Sequence, residues 1–100
     1  MPLDSLHDLT DLDSRQLYAV YLAIARADHA WRVRTLYGDA GPPAGHLVFR
    51  PLSIEQFDNR LQTSATMASG RLMLTQRLSR QARAYGVDVV AELSRLRQAA

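Results

Sequence analysis

The stretch Leu17–Ile24 limits what this chain can fold into more than any other part of it. It reads Leu17, Tyr18, Ala19, Val20, Tyr21, Leu22, Ala23, Ile24, and no other run is as apolar. On a helix, Leu17, Val20, Tyr21, Ile24 and Ala27 follow the i, i+3, i+4, i+7 spacing of one face. Tyr18, Leu22 and Ala25 form a second stripe beside it. A helix apolar over more than half its circumference is the centre of a small bundle or is shared with a partner chain. The sequence leaves both open. Tyr18, Tyr21 and Leu22 are the candidate partner-interface residues, because amphipathic aromatics are enriched at interfaces. The core is the commoner home for such rings.

The chain of 100 residues is long enough for one domain, and 47% of it is apolar, so a core can form. A domain this small is only marginally stable alone, and a protein partner or homo-oligomer would add to it. Cysteine is absent, which excludes disulfides, thiolate metal sites and cysteine nucleophiles. The start Met1, Pro2, Leu3, Asp4 is acidic, unlike the basic start of a signal peptide. The Leu17–Ile24 stretch is too short to span a bilayer and runs into Arg26 and Asp28. A cytoplasmic protein with no membrane partner is expected.

Every basic side chain apart from histidine is an arginine, a planar fork suited to carboxylate or phosphate. The formal net charge of +2 is modest for a nucleic-acid binder. The charge is polarised along the chain. Asp4, Asp8, Asp11 and Asp13 precede the first arginine, whereas the last third carries Arg71, Arg77, Arg80, Arg83, Arg95 and Arg97 against Asp88 and Glu92. Such an acidic head and basic tail can pair within a chain or between neighbours.

Taken in order, residues 1–13 space Leu3, Leu6, Leu9 and Leu12 three apart with aspartates between, as an acidic arm or short helix. Asp13 and Ser14 are good N-caps for a long helix over about 14–30, with Thr10 as the alternative start. If that helix continues, Asp28 can pair with Arg32. Trp31, Val33, Thr35 and Tyr37 then alternate with Arg32, Arg34 and Leu36, which predicts a strand; extension of the helix is the alternative. Gly38–Gly45 is a loop, and His46–Arg50 reads as a second strand ended by Pro51. Residues 31–50 are therefore expected to form a β-hairpin insert. Trp31, Tyr37 and Phe49 around it are expected in the core.

Ser53 with Gln56 makes a capping-box pair for a helix over 54–68, with Ile54, Phe57, Leu61, Ala65 and Ala68 on its apolar face. Ser69 and Gly70 break or bend the chain. A third helix follows over about 71–85, with Leu74, Leu78, Ala82 and Tyr85 on one face and Arg77, Arg80 and Arg83 opposite. Gly86 suits the C′ position with Val87 behind it, and Asp88 caps a last helix using Val89, Val90, Leu93 and Leu96. The fold class is mainly α: a small helical bundle over 14–100, with a long first helix, three shorter ones and the hairpin insert.

No catalytic constellation emerges. His7, His29 and His46 are scattered, and His7 among Asp4, Asp8 and Asp11 is more simply a solvated acidic arm than a divalent site. Adjacent Asp28 and His29 do not face each other on a helix. There is no nucleophile elbow, P-loop or zinc motif, so no enzyme, cofactor, metal or small-molecule substrate is expected. The candidate nucleic-acid or acidic-partner face is Gln76, Arg77, Arg80 and Arg83. Its arginines can track phosphates while Gln76 reaches a base edge. The short joint at Gly70 between two helices is of the helix-turn-helix kind. A charged outer face is also what any amphipathic surface helix shows.

From Arg32 through Leu61 a two-stranded element is expected to lead into Leu47, Val48, Phe49, Arg50, Pro51, Leu52, Ser53 and then Ile54, Glu55, Gln56, Phe57. This pattern resembles small tail-assembly-chaperone-like and related structural proteins of tailed phages. Gln56 stands where that family more often has glutamate. The resemblance implies a non-enzymatic protein that holds or joins other subunits, in the host cytoplasm or in the virion. The sequence thus points to a protein–protein assembly component, with a small DNA-binding regulator as the alternative.

Overall fold

The computed structural model describes Leu9, residues 11–64 and residues 68–99. These form α1 (Ser14–Tyr37), a 3-10 turn (Gly38–Ala40), α2 (Ile54–Ser64), α3 (Ala68–Ala84) and α4 (Val89–Ala99). No strand occurs among the described residues. The protein is a mainly α bundle in which α2, α3 and α4 each pack on α1, and α2 also packs on α3. Most of the acidic arm of residues 1–13, including Leu3, Leu6 and the His7 cluster, lies outside the described residues, as do Ala65 and Thr66.

The long first helix is present and runs further than the sequence suggested. Its 24 residues include 31–37, so the first half of the expected β-hairpin is two more turns of α1. Two causes favour helix there. Extending an existing helix adds one hydrogen bond per residue fixed, with no new nucleation cost. Asp28 and Arg32 pair at i, i+4, with Nε to Oδ2 at 3.0 Å. The helix stops at Gly38, whose φ of 62° places it in the region glycine tolerates and whose N–H donates to the Arg34 carbonyl. The second expected strand fails too. Leu47 has φ of 48°, which no strand residue adopts. Residues 48–53 follow as irregular chain without a pairing strand.

The helix ends follow local chemistry. At α1, the Gln16 N–H donates to Asp13 Oδ1 at 2.8 Å and the Asp13 N–H to Gln16 Oε1 at 3.0 Å, a reciprocal capping box. Ser53 and Gln56 do the same for α2, at 3.2 and 2.9 Å. At the end of α3, the Val87 N–H donates to the Ala82 carbonyl and the Gly86 N–H to that of Arg83, which is a Schellman motif. Asp88 then caps α4 through the Ala91 N–H at 3.1 Å. One boundary moved: α2 ends at Ser64 and α3 begins at Ala68, so Ser69 and Gly70 lie inside the first turn of α3 rather than breaking the chain.

The core is built on the first stripe of α1. Leu17, Val20 and Ile24 are buried with Leu9, Phe57 and Leu61 of α2, and Leu78 and Ala82 of α3. Thr75 is the buried polar member, its hydroxyl donating to the Leu72 carbonyl at 2.9 Å. One stripe of the Leu17–Ile24 stretch is thus closed inside the bundle. The second stripe, Tyr18, Leu22 and Ala25, is half-buried. Trp31 departs from expectation: it is 54% exposed, because α1 carries it along as the helix extends, whereas a hairpin would have covered it. Tyr37 and Phe49 are half-buried. In α4 no residue is fully buried, and Val89, Val90, Leu93 and Leu96 are half-covered.

Candidate functional site

The two faces singled out from the sequence have different fates. Tyr18 and Tyr21 turn to an internal task. The Tyr18 hydroxyl donates to the Leu52 carbonyl at 2.9 Å, and the Leu52 N–H donates to the Tyr21 hydroxyl at 2.8 Å. One residue of the irregular segment thus has both its peptide groups met by side chains of α1, where a strand partner would have met them. The two rings also pack on Phe57, Tyr18 edge-on at a centroid distance of 5.5 Å and Tyr21 tilted at 5.1 Å. Further along α1, His29 Nε2 contacts the Leu47 carbonyl, and its ring lies 5.3 Å from Phe49. Side chains of α1 therefore seat the segment that leads into α2. Tyr21→Phe leaves the Leu52 N–H without its partner and should cost about 1 kcal/mol of unfolding free energy, measured by denaturant titration. A neutral result would show that water replaces the hydroxyl.

Asp28 is the second polar node. The Tyr85 hydroxyl, at the end of α3, donates to its Oδ1 at 2.6 Å, and Arg32 takes Oδ2. The Tyr85 hydrogen bond, reinforced by the Arg32 guanidinium and opposed by partial desolvation, holds the Asp28 carboxyl below the ordinary carboxylate range. The same bond pushes the Tyr85 phenol up, since losing its proton ends the donation. The signs follow by linkage. The Asp28 contribution to stability is present above the ordinary carboxylate value and is lost as pH falls through the lowered one. The Tyr85 contribution is present below the ordinary phenol value and is lost as pH rises through the raised one. In Tyr85→Phe the Asp28 carboxyl should titrate closer to the ordinary range, which carbon-detected NMR can follow. An unchanged titration would mean that the bond does not form in solution.

Between α1 and residues 47–51 lies a cleft of about 260 Å³ that includes Asp28, His29, Arg32 and Arg50. Its acid and base groups are spent on structure: Asp28 on Tyr85 and Arg32, and His29 on the Leu47 carbonyl. No group of three metal-ligating side chains gathers among the described residues.

The α3 face is different. Gln76, Arg77, Arg80 and Arg83 are all exposed. By the helix period, Gln76, Arg80 and Arg83 share the outward side with Met73, and Leu72 lies at its edge. Met73 is 67% exposed and Leu72 45%. These two apolar residues went unread in the sequence, although both fall out of phase with the Leu74, Leu78, Ala82 stripe. Arg77 turns toward a second cleft, of about 210 Å³, between α2 and α3, where Arg60 of α2 also lies. Arg60 is the other residue that sequence reasoning missed, since only the packing of α2 on α3 brings it beside Arg77. Residues 59–87 hold Arg60, Arg71, Arg77, Arg80 and Arg83 and no carboxylate. Among the described residues, ion pairs join Asp28 to Arg32 and Glu92 to Arg95, and neither involves the α3 arginines.

No helix among the described residues is long and apolar enough to cross a membrane. Compared with protein-family models, curated proteins and solved structures, the chain matches none.

Proposed function

We propose that this chain is a non-enzymatic binding module that presents the outward side of α3 to another protein, as an assembly subunit or assembly chaperone does. The observation that carries this is the mixed character of that side: Arg80 and Arg83, which make no ion pair among the described residues, share it with exposed Met73, and exposed Leu72 lies at its edge. Exposed apolar residues occur elsewhere on the surface, Leu36 among them, but on α3 they share a side with cations, and a protein partner can cover Met73 and Leu72 while answering the arginines with carboxylates. The more specific reading, an assembly component of a tailed phage, draws on the residue pattern of 47–57 alone, since the two-stranded element expected before it is helix and irregular chain.

A duplex-DNA reading is favoured by the spacing of Arg77, Arg80 and Arg83 along one helix with Gln76 among them. It leaves Met73 and Leu72 without a role, since phosphates reward only the cations. The test sets the two side by side. Native protein and a Met73→Asp/Arg80→Asp variant serve as baits in cells of the source organism, and both are titrated with random duplex DNA at two salt concentrations. A partner protein retained by the native bait and lost from the variant is the expected result. Equal retention by both overturns the proposal. So does tight DNA binding that falls steeply with salt and in Arg80→Ala, which would transfer the conclusion to the DNA reading.

A further inference from the structure

We propose that the cleft between α2 and α3 is the seat of an acidic amphipathic helix supplied by the partner protein. The inference rests on the reading of α3 as a partner surface and names what that partner must bring. The cleft has an apolar floor, formed by Phe57, Leu78 and half-buried Leu74, and its volume of about 210 Å³ suits a single large apolar side chain. Arg60 of α2 and Arg77 of α3 line the same cleft, so cations from two different helices meet over one apolar floor.

These two cations are available. Positions three and four residues away from Arg60 are Gln56, Phe57, Thr63 and Ser64. Those around Arg77 are Met73, Leu74, Arg80 and Gln81. None is a carboxylate, so neither arginine has the helical neighbour that would normally answer it. A bound helix with a leucine or phenylalanine flanked by glutamates would put its apolar side chain on the floor and its carboxylates against the two guanidiniums. Arginine forks take carboxylates in pairs of parallel bonds, which fixes register as well as affinity.

The shape of the seat selects a helix over the alternatives. The lining comes from helices α1, α2 and α3 and from Leu52 of the irregular segment, whose N–H and carbonyl are already taken by Tyr21 and Tyr18, so these residues offer no free edge for an added strand. A phosphate chain would use the two arginines and leave the apolar floor empty. A helix uses both at once, and an apolar anchor in a pocket ringed by polar contacts is how a small interface concentrates its affinity.

The test uses the full chain and a synthetic amphipathic peptide with one phenylalanine between glutamates three and four positions away. The Leu74 and Leu78 methyl groups are followed by NMR during titration. The expected result is a shift of both methyls, with affinity falling about tenfold in Arg60→Glu, as for a desolvated rim charge reversed against a carboxylate. Replacing by lysine only the peptide glutamate on the Arg60 side, and keeping the one against Arg77, should restore binding to Arg60→Glu, which a merely misfolded variant could not show. Thermal unfolding confirms that Arg60→Glu, an exposed site, still folds. A peptide that shifts neither methyl overturns the seat. So does self-association of the native chain that Arg60→Glu abolishes, since a second copy would then be the occupant. A cellular partner lost on Arg80→Asp yet held by Arg60→Glu would sink the cleft and leave the α3 surface standing.

Discussion

Phe57→Ala should destabilise the fold by about 3–5 kcal/mol, the range for removing a buried aromatic ring. Phe57 is 4% exposed and is where α2 meets α1. Its ring lies edge-on to Tyr18 and tilted against Tyr21. Each aromatic pair adds about 0.5–1.5 kcal/mol beyond area alone, although these terms overlap with the cavity cost. The loss also reaches the polar contacts, because the two tyrosines that Phe57 supports hold both peptide groups of Leu52. A domain of this size starts near the lower end of the usual range of about 5–15 kcal/mol, so most of its stability is at stake. Urea unfolding followed by circular dichroism is the right measurement. Trp31, the lone tryptophan, is 54% exposed and reports the core poorly. A loss below about 1 kcal/mol would mean that α2 repacks over the gap.

Leu17→Ala should cost about 2–5 kcal/mol, since Leu17 is fully buried at the centre of the α1 stripe. Leu22→Ala, on the half-buried second stripe, should cost about 1 kcal/mol. The contrast matters more than either number. The two leucines lie on one helix, in one apolar run, and propensity does not separate them. Only their facing does. Should Leu22→Ala cost as much as Leu17→Ala, with a midpoint that depends on protein concentration, the second stripe would be covered by another chain in solution.

Much of the architecture was legible because it is local. Asp13, Ser53 with Gln56, Gly86 with Val87, and Asp88 all sit within a few residues of the groups they satisfy. Their chemistry therefore marks helix ends directly. The Leu17, Val20, Ile24 stripe is legible for the same reason, since its i, i+3, i+7 spacing repeats within two turns of one helix. Residues 31–37 defeated the reading because their pattern serves two periods. The choice was settled by the helix already running into them and by the glycine that stops it. The strand expected at 46–50 failed for want of a partner, and a strand cannot form alone.

The site was less legible, and the reason is sequence distance. Tyr18 and Tyr21 read as interface aromatics, but their partner is Leu52, some thirty residues on. Tyr85 meets Asp28 across 57 positions. Nothing in a spacing rule reaches that far. Of the α3 arginines, Arg80 and Arg83 share the outward side by the period, while Arg77 turns to the cleft. The meeting of Arg77 with Arg60 needed the packing of α2 against α3. Met73 and Leu72 were visible as apolar residues out of phase, a signal worth weighing wherever a helix already has a complete apolar stripe.

The half-covered seam of α4 governs how this protein comes apart. No residue of α4 is fully buried and its ion pair between Glu92 and Arg95 is its own, so α4 is held on α1 by half-covered side chains, whereas α2 and α3 each bury residues fully. Its amides should therefore exchange with solvent through a partial opening that leaves Leu17, Val20 and Phe57 in place, well below the free energy of global unfolding. The molecule then has two tiers of cooperativity. On that expectation α1, α2 and α3 melt together, and slower exchange in α4 than in α2 would show instead that all four helices open as one unit.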